Sequence, residues 1–394
     1  MKIQNIERIP VLYHIRKKGW GAEDETGSKK YSIWPSTIPS VIIKVHTSDG
    51  QVGVGEAVNM HWYLGNTQAQ SYRVLGLYDD FLRGKDPVDL EILHKGLVSI
   101  IGRGAPGARA ADDAISMALF DLLGKAWGEP VYNILGGAHT LRIPINPNIY
   151  MSSPDDMAEE AKRYLKNGFR AIKIKCGMDI EEKGWSLDTG IFDVRKLIQT
   201  LDVIPGNIMV DADPNQSWGP YKRTITIVKS YGLERYLNLG IEQPVQYMDI
   251  DGASRIAKGI GLPLILDESI FSIESFAEVI KRGAADRIVL KTVRVGGLFV
   301  GRKIINMAEA FNIGVSVDSL PYSKIGDTAI AHLAATIREP QPGGWGDDWL
   351  AEDTVKHGGV KIHDGFATIE GKAPGLGIEL DDEAIDQIRV KPDY

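Results

Sequence analysis

The chain has 394 residues, 45 of them basic and 52 acidic, giving a formal charge of −7, with 43% apolar and 25% charged side chains. This is the make-up of a globular protein, long enough for two domains or for one large α/β barrel with additions. No Lys/Arg run can track a phosphate backbone, which excludes nucleic acid as a partner. No uncharged apolar stretch of about 18 residues offers a membrane span, and the N-terminal residues lack the apolar core of a signal peptide. The single cysteine, Cys176, excludes an intramolecular disulfide and a thiolate metal cluster; it reads as a small filler, and a cytoplasmic location is expected.

In chain order, two strand-like runs, IQNIERIPVLYHI and SVIIKVHTSDGQVGVGEA, flank the polar stretch KKGWGAEDETGSKKYSIWPST. Loops of that length inside compact units are usually functional, and Trp20 and Trp34 suit a lid. Apolar residues at three- and four-residue steps then predict helix through ARAADDAISMALFDLLGKAWG, so residues 1–138 are expected to form an N-terminal α+β capping domain. Short β-rich runs follow at 143–150, 171–176, 207–212, 238–243, 262–267, 286–291 and 313–318, with an eighth expected near 340–345. They alternate with capped amphipathic helices such as SPDDMAEEAKRYLKNG, the signature of βα units. The predicted fold class is α/β: a modified TIM barrel, (β/α)7β, over 139–350, with 351–394 returning to the capping domain.

The strands end in charge. Lys173 and Lys175, Asp211 and Asp213, Glu242, Asp267, Lys291 and Asp318 stand where successive predicted strands finish, which in such a barrel is the catalytic face. Any one of them alone reads as easily as a solvated loop residue. Eight in register predict a shared mouth. Carboxylate oxygens suit a hard cation, Mg²⁺ or Mn²⁺, with Asp213, Glu242 and Asp267 as ligands and positions left open for a substrate carboxylate. The metal and Lys173 would neutralise an enediolate, with Lys175 and Lys291 as acid/bases on opposite faces, their pKa values depressed by one another and by the cation.

These segments resemble the enolase superfamily, and within it the muconate lactonising enzyme subgroup, over nearly the whole chain. KIKCG (173–177) looks like its Lys-x-Lys element, DPNQSW (213–218) like its Asp-x-Asn element, IEQP (241–244) and LDES (266–269) like its further ligand segments, and LKTVRVGG (290–297) like its second lysine with paired glycines. The resemblance implies a capping domain, a modified barrel and one Mg²⁺; lysine bases with Mg²⁺ are the superfamily pattern. The mandelate racemase subgroup would show an acid at Lys291 and a histidine near Asp318; this chain has neither. The Asp-x-Asn spacing favours Asp213 over Asp211 as ligand, leaving Asp211 to support the site or to pair with Lys173 or Lys175, and brings in Asn215.

Around this centre, Asp318 is placed to orient Lys291, to touch substrate, or simply to end its strand. The segment GGWGDDWL (343–350) departs from the Asp-x-Asp register of dipeptide epimerases. Trp345 with Asp347 or Asp348 would wall a cationic group, or the tryptophan packs the barrel. His61, in a second capping loop, is a substrate contact or an exposed loop histidine. The expected activity is Mg²⁺-dependent racemisation or epimerisation of an amino-acid derivative or related carboxylic acid. The alternatives are cycloisomerisation or β-elimination from the same enediolate and, from another class, a non-catalytic solute-binding or structural protein. A small-molecule carboxylate is the expected partner, and a homo-oligomer the expected assembly.

Overall fold

The computed structural model describes residues 1–16, 36–102, 107–177, 186–345 and 349–391; Trp20, Trp34, Asp347 and Asp348 lie outside them. Strands β1 (Ile3–His14), β2 (Thr37–Thr47) and β3 (Val52–Val58) form an antiparallel sheet in that order. The helix Arg109–Trp127 lies directly on β3: a Cβ at Gly53 would stand 2.2 Å from the Ala118 carbonyl oxygen, and one at Gly55 2.1 Å from that of Ala114. Glycine is what permits that approach.

The same helix is buried continuously from Ala110 to Gly124, because its other side packs on the barrel through the helices Thr292–Val295 and Leu298–Ala310. Its acids are therefore paired. Asp112 accepts from Tyr78 at 2.6 Å, Asp121 from Lys125 at 2.6 Å, and Asp113 from Thr292 at 3.1 Å and from Tyr322.

The barrel is a parallel sheet in the order β11 (Gly314–Val317), β10 (Arg287–Leu290), β9 (Leu264–Leu266), β8 (Leu239–Glu242), β7 (Met209–Asp213), β6 (Ala171–Lys175), β5 (Asn148–Ile149). Two predicted strands differ. The run 143–150 is split into β4 (Arg142–Pro144) and β5, because Pro144 and Pro147 cannot donate to a ladder; β4 pairs instead with β14 (Phe366–Thr368). The eighth position is held by residues 341–344 without a regular strand. Pro340 and Pro342 likewise lack donors, so closure uses the intervening residues: Gln341 N to Val315 O at 2.9 Å and Ser319 N to Gly344 O at 2.8 Å on one side, Asn146 N to Gly343 O at 2.8 Å on the other.

The chain beyond 350 adds β12 (Val355–Gly358), β13 (Lys361–His363) and β15 (Ile378–Leu380), and it touches β1 through Ala351 N to His14 O at 2.8 Å and Val390 N to Pro10 O at 3.0 Å. Among the described residues no helix is long and apolar enough to cross a membrane.

The joint between helix 109–127 and the barrel buries a carboxyl group, Asp113. Burial pushes the Asp113 carboxyl from its ordinary 3.8 up to about 8, with Glu56 and Asp112 adding to the rise and the Tyr322 and Thr292 hydroxyls opposing it. A carboxyl raised in the folded state contributes stability that is full below its unfolded pKa and lost as pH rises through the folded one. Asp113→Asn should therefore gain stability relative to wild type between pH 5 and pH 9 in paired urea melts; an unchanged difference would contradict this assignment.

Candidate active site

The parallel register sets Lys173 beside Asp211 and Lys175 beside Asp213, so alternate residues of β6 and β7 share one face in two tiers. In the lower tier Asp211 pairs with Arg287, the first residue of β10, and accepts from Asn146 at 3.2 Å. The lysine partnership expected for Asp211 is thus replaced by an arginine that the sequence reading passed over. Gly240 on β8 makes room for it: a Cβ there would meet the Arg287 guanidinium at 2.8 Å and Asp211 at 3.1 Å.

The upper tier holds the remaining strand-end charges. Lys173 Nζ donates to Glu242 Oε1 at 2.8 Å and Asp318 Oδ2 at 2.9 Å. Lys175 pairs with Asp213 and reaches Asn215 Oδ1 at 3.2 Å. Lys291, the residue after β10, donates to Asp267 Oδ2 at 2.6 Å, and Asp318 Oδ2 lies 3.8 Å from it. All but Lys175 are almost wholly buried.

Three residues that sequence reasoning missed complete the tier. Arg294, one turn beyond Lys291, donates to the Asp267 carbonyl at 2.8 Å and to its Oδ1 at 2.6 Å. Tyr63, from the loop after β3, donates to Asp267 Oδ2 at 3.2 Å and accepts from Arg294 at 2.5 Å. Glu268 accepts from Asn215 at 3.3 Å and Gln216 at 3.2 Å. The i, i+3 spacing from Lys291 could have marked Arg294; Tyr63 is separated from its partners by more than two hundred residues and left no local signal.

Asn215 and Gln216 are both in the left-handed region, at φ 40° and 72°, and Gln243 after β8 joins them at 36°. Strain of this kind persists where surrounding contacts impose it. Here the Gln216 amide binds the Gln243 carbonyl at 2.7 Å, turning Asn215 toward Lys175 and Glu268.

The protein's own charges act on Lys175 in the direction opposite to the depression expected beside a cation. For Lys173, burial alone would lower the pKa, but Asp318 and Glu242 outweigh it and hold the ammonium well above its ordinary value; Lys175 is raised in the same way, chiefly by Asp213. Five acids (Asp213, Glu242, Asp267, Glu268, Asp318) surround four bases (Lys173, Lys175, Lys291, Arg294), and for Lys173 and Lys175 the attraction of the nearest acids exceeds the repulsion between lysines. Burial drives Glu242 well above the carboxylate range against the pull of Lys173. Burial acts on Asp267 too, but Arg294 and Lys291 overcome it and keep that acid ionised.

This tier floors a cavity of about 1030 Å³ lined by Lys173, Lys175, Asp267, Glu268, Lys291 and Asp318 below, with Trp62, Tyr63, Tyr247, Phe271 and Trp349 on its walls. Asn215 lines it also. His61 is exposed and outside the lining, its ring edge-on to Trp62 at 5.1 Å. Trp345 is buried beneath, its indole N–H donating to the Val317 carbonyl at 2.8 Å, so it packs the barrel and Trp349 takes the place at the wall.

Among the described residues no three His, Cys, Asp or Glu side chains already converge as a metal cage; Asp213, Glu242 and Asp267 each hold a cationic side chain instead. The donor set nevertheless fits a hard divalent ion. It is all oxygen, it gathers more acids than bases, and Glu242 Oε2 is a buried carboxyl oxygen without a hydrogen-bond partner, an arrangement that is costly unless something binds there.

A parallel barrel under an antiparallel-sheet cap, with lysines facing acids at the strand ends, defines a capped-barrel enzyme of carboxylate chemistry. The comparisons agree. Residues 156–384 match the family described as enolase C-terminal domain-like, and 35–136 match the mandelate racemase/muconate lactonizing enzyme N-terminal domain. The chain belongs to the mandelate racemase/muconate lactonizing enzyme family of the enolase superfamily, a family of enzymes that implies a divalent metal, and the non-catalytic alternative falls away.

The N-succinyl-L-Arg/Lys racemase of Bacillus cereus is 30% identical over 366 residues, 91% of this chain and 92% of that protein. Its crystal structure superposes with TM-score 0.86 at 26% identity, covering 99% of each chain. The dipeptide epimerase of Enterococcus faecalis, solved with Mg and L-Leu-L-Tyr, gives 0.82 at 26% identity over 96% of this chain and 99% of that one. A chloromuconate cycloisomerase of Cupriavidus pinatubonensis is 28% identical over 355 residues, 88% of this chain and 90% of that one.

The lower tier can be tested without substrate. Gly240→Ala should destabilise the fold by about 1–3 kcal/mol through overpacking against the Arg287–Asp211 pair, read as a lowered urea midpoint; wild-type stability would show that the pair yields freely.

Proposed function

We propose that this enzyme racemises or epimerises an N-acylated amino acid or similar carboxylic acid by removing and returning the proton next to its carboxylate. The observation that carries the reading is the placement of Lys175 and Lys291. They leave β6 and β10, three acid-bearing strands apart, yet border one cavity. A carbon held above those acids would present its opposite faces to the two amines. The racemase and epimerase relatives lend support, since they share the fold over nearly the whole chain.

Asp213, Glu242 and Asp267 would hold the metal, Mg²⁺ by the preference of carboxylates for small hard ions, with Mn²⁺ as substitute. Bound there, the ion would supply a Lewis acid for the substrate carboxylate, and its charge would favour the neutral forms of Lys175 and Lys291. Lys173, buried between Glu242 and Asp318, keeps its charge and adds to the stabilisation of the enediolate. Lys175 or Lys291 accepts the α-proton in its neutral form, and the other delivers one from the far side. The ring-rich walls exclude water and bind the rest of the substrate.

Three outcomes are expected. First, proton NMR in D₂O over a library of N-acyl amino acids and dipeptides should show α-deuteration with inversion in wild type; ring closure or loss of a β-substituent instead would move the assignment to a cycloisomerase or dehydratase. Second, Lys175→Ala and Lys291→Ala should each abolish interconversion, while α-exchange survives for opposite stereoisomers. Full turnover in either variant would refute the two-lysine scheme. Third, calorimetric titration of chelator-treated protein with Mg²⁺ should show one site, weakened about tenfold or more by Glu242→Gln; unchanged affinity would remove Glu242 from the ligand set.

A further inference from the structure

The two lysines are supported differently. The partners of Lys175, Asp213 and Asn215, both belong to the end of β7 and its loop. Those of Lys291 extend into the cap. Lys291 Nζ and the Tyr63 hydroxyl bind the same oxygen, Asp267 Oδ2, at 2.6 and 3.2 Å, and Nζ lies 6.0 Å from the centre of the Tyr63 ring. Arg294 binds Asp267 Oδ1 with one nitrogen and the Tyr63 hydroxyl with the other.

The loop bearing Tyr63 is itself braced. Leu64 N returns to Met60 O at 2.7 Å, and the Asn66 side chain donates to Val58 O at 3.1 Å and Asn59 Oδ1 at 2.9 Å. Asn59 Oδ1 also accepts from Ser71 at 2.6 Å. The phenol is thus presented by a fixed turn of the cap to the barrel.

We infer that Tyr63 is a positioning residue for one half-reaction only: by holding Asp267 and Arg294 from the cap, it aims Lys291 at its face of the substrate and leaves Lys175 to the barrel. The inference rests on the two-lysine reading. A phenol that merely stabilised the fold, or that acted only through the metal held by Asp267, would affect both faces alike. One that positions Lys291 must distinguish the stereoisomers, because each presents its α-proton to a different lysine.

The test uses the Mg²⁺-loaded enzyme and the L and D forms of an N-acyl amino acid in D₂O, with the isomer served by Lys291 defined as the one whose exchange is lost in Lys291→Ala. Tyr63→Phe should slow that isomer's exchange about tenfold, the scale of one lost hydrogen bond to a charged group, and change the other less than about twofold. Arg294→Lys, which keeps the charge but not the fork, should reproduce the asymmetry. Equal slowing of both isomers, or of neither, overturns the inference while leaving the two-lysine scheme intact; no exchange by wild type overturns both.

A second readout is independent of turnover. In the metal-free protein, amide hydrogen exchange of the 59–66 segment should accelerate in Tyr63→Phe and remain at the wild-type rate in Lys175→Ala. Unchanged protection in Tyr63→Phe would refute the docking itself.

Discussion

The strand-end centre depends on a charge arrangement that an isolated group could not survive. A single ammonium or carboxylate buried as Lys173 and Glu242 are would cost several kcal/mol in lost hydration. Flanking the acids of three adjacent strands with lysines from the strands on either side makes the burial tolerable. The parallel register sets the two lysines of β6 beside the two aspartates of β7, Lys173 reaches across to Glu242, and Lys291 closes on Asp267 from the other side. Buried ion pairs exchanged for apolar residues of similar volume often leave a fold no less stable, so stability alone is a weak account of this tier. The surplus of acids over bases and the open oxygen on Glu242 mark where the arrangement is incomplete without a cation.

The tier beneath shows how such a centre is supported. Arg287 and Asp211 fill the barrel interior under Glu242, and the missing side chain of Gly240 gives the guanidinium its space. Polar layers inside a barrel fix side-chain directions more firmly than an apolar filling, because each member has a defined partner. Above the centre the cap does related work by other means. Helix 109–127 lies on the barrel with three acids paired across its faces, and the loop after β3 hangs from the same domain. The geometry of the cap is therefore tied to that of the strand ends.

Much of this was legible in the sequence because barrel strands are local objects. The runs ending in Lys175, Asp213, Glu242, Asp267 and Lys291 each carry their own β pattern, and their order round the sheet follows from chain order. Legibility failed where proline intervened. Pro144, Pro147, Pro340 and Pro342 leave the seam of the barrel to be closed by isolated hydrogen bonds, which no periodicity announces. It also failed for partners set by distance in space rather than in sequence, as with Arg287 for Asp211 and Tyr63 for Asp267. Trp345 illustrates a third case: whether an aromatic residue faces a cavity or the core depends on one carbonyl acceptor, here that of Val317.

Chemistry and specificity consequently occupy different parts of the molecule. The reacting groups sit on strand ends, where hydrogen bonding on both sides allows little movement, and relatives with different substrates can share them. The walls come from elsewhere: Trp62 and Tyr63 from the cap, Tyr247 and Phe271 from loops after β8 and β9, and Trp349 from the segment leading to the C-terminal strands. Each loop can change without disturbing a ladder. Tyr63 is the exception, since it belongs to a wall by position and to the strand-end charges by its hydrogen bonds. A change of substrate that required moving this loop would also alter the hydrogen-bonded surroundings of Lys291, whereas the hydrogen bonds of Lys175 come from the end of β7 and its loop. Divergence in specificity should therefore act unequally on the two faces of the substrate.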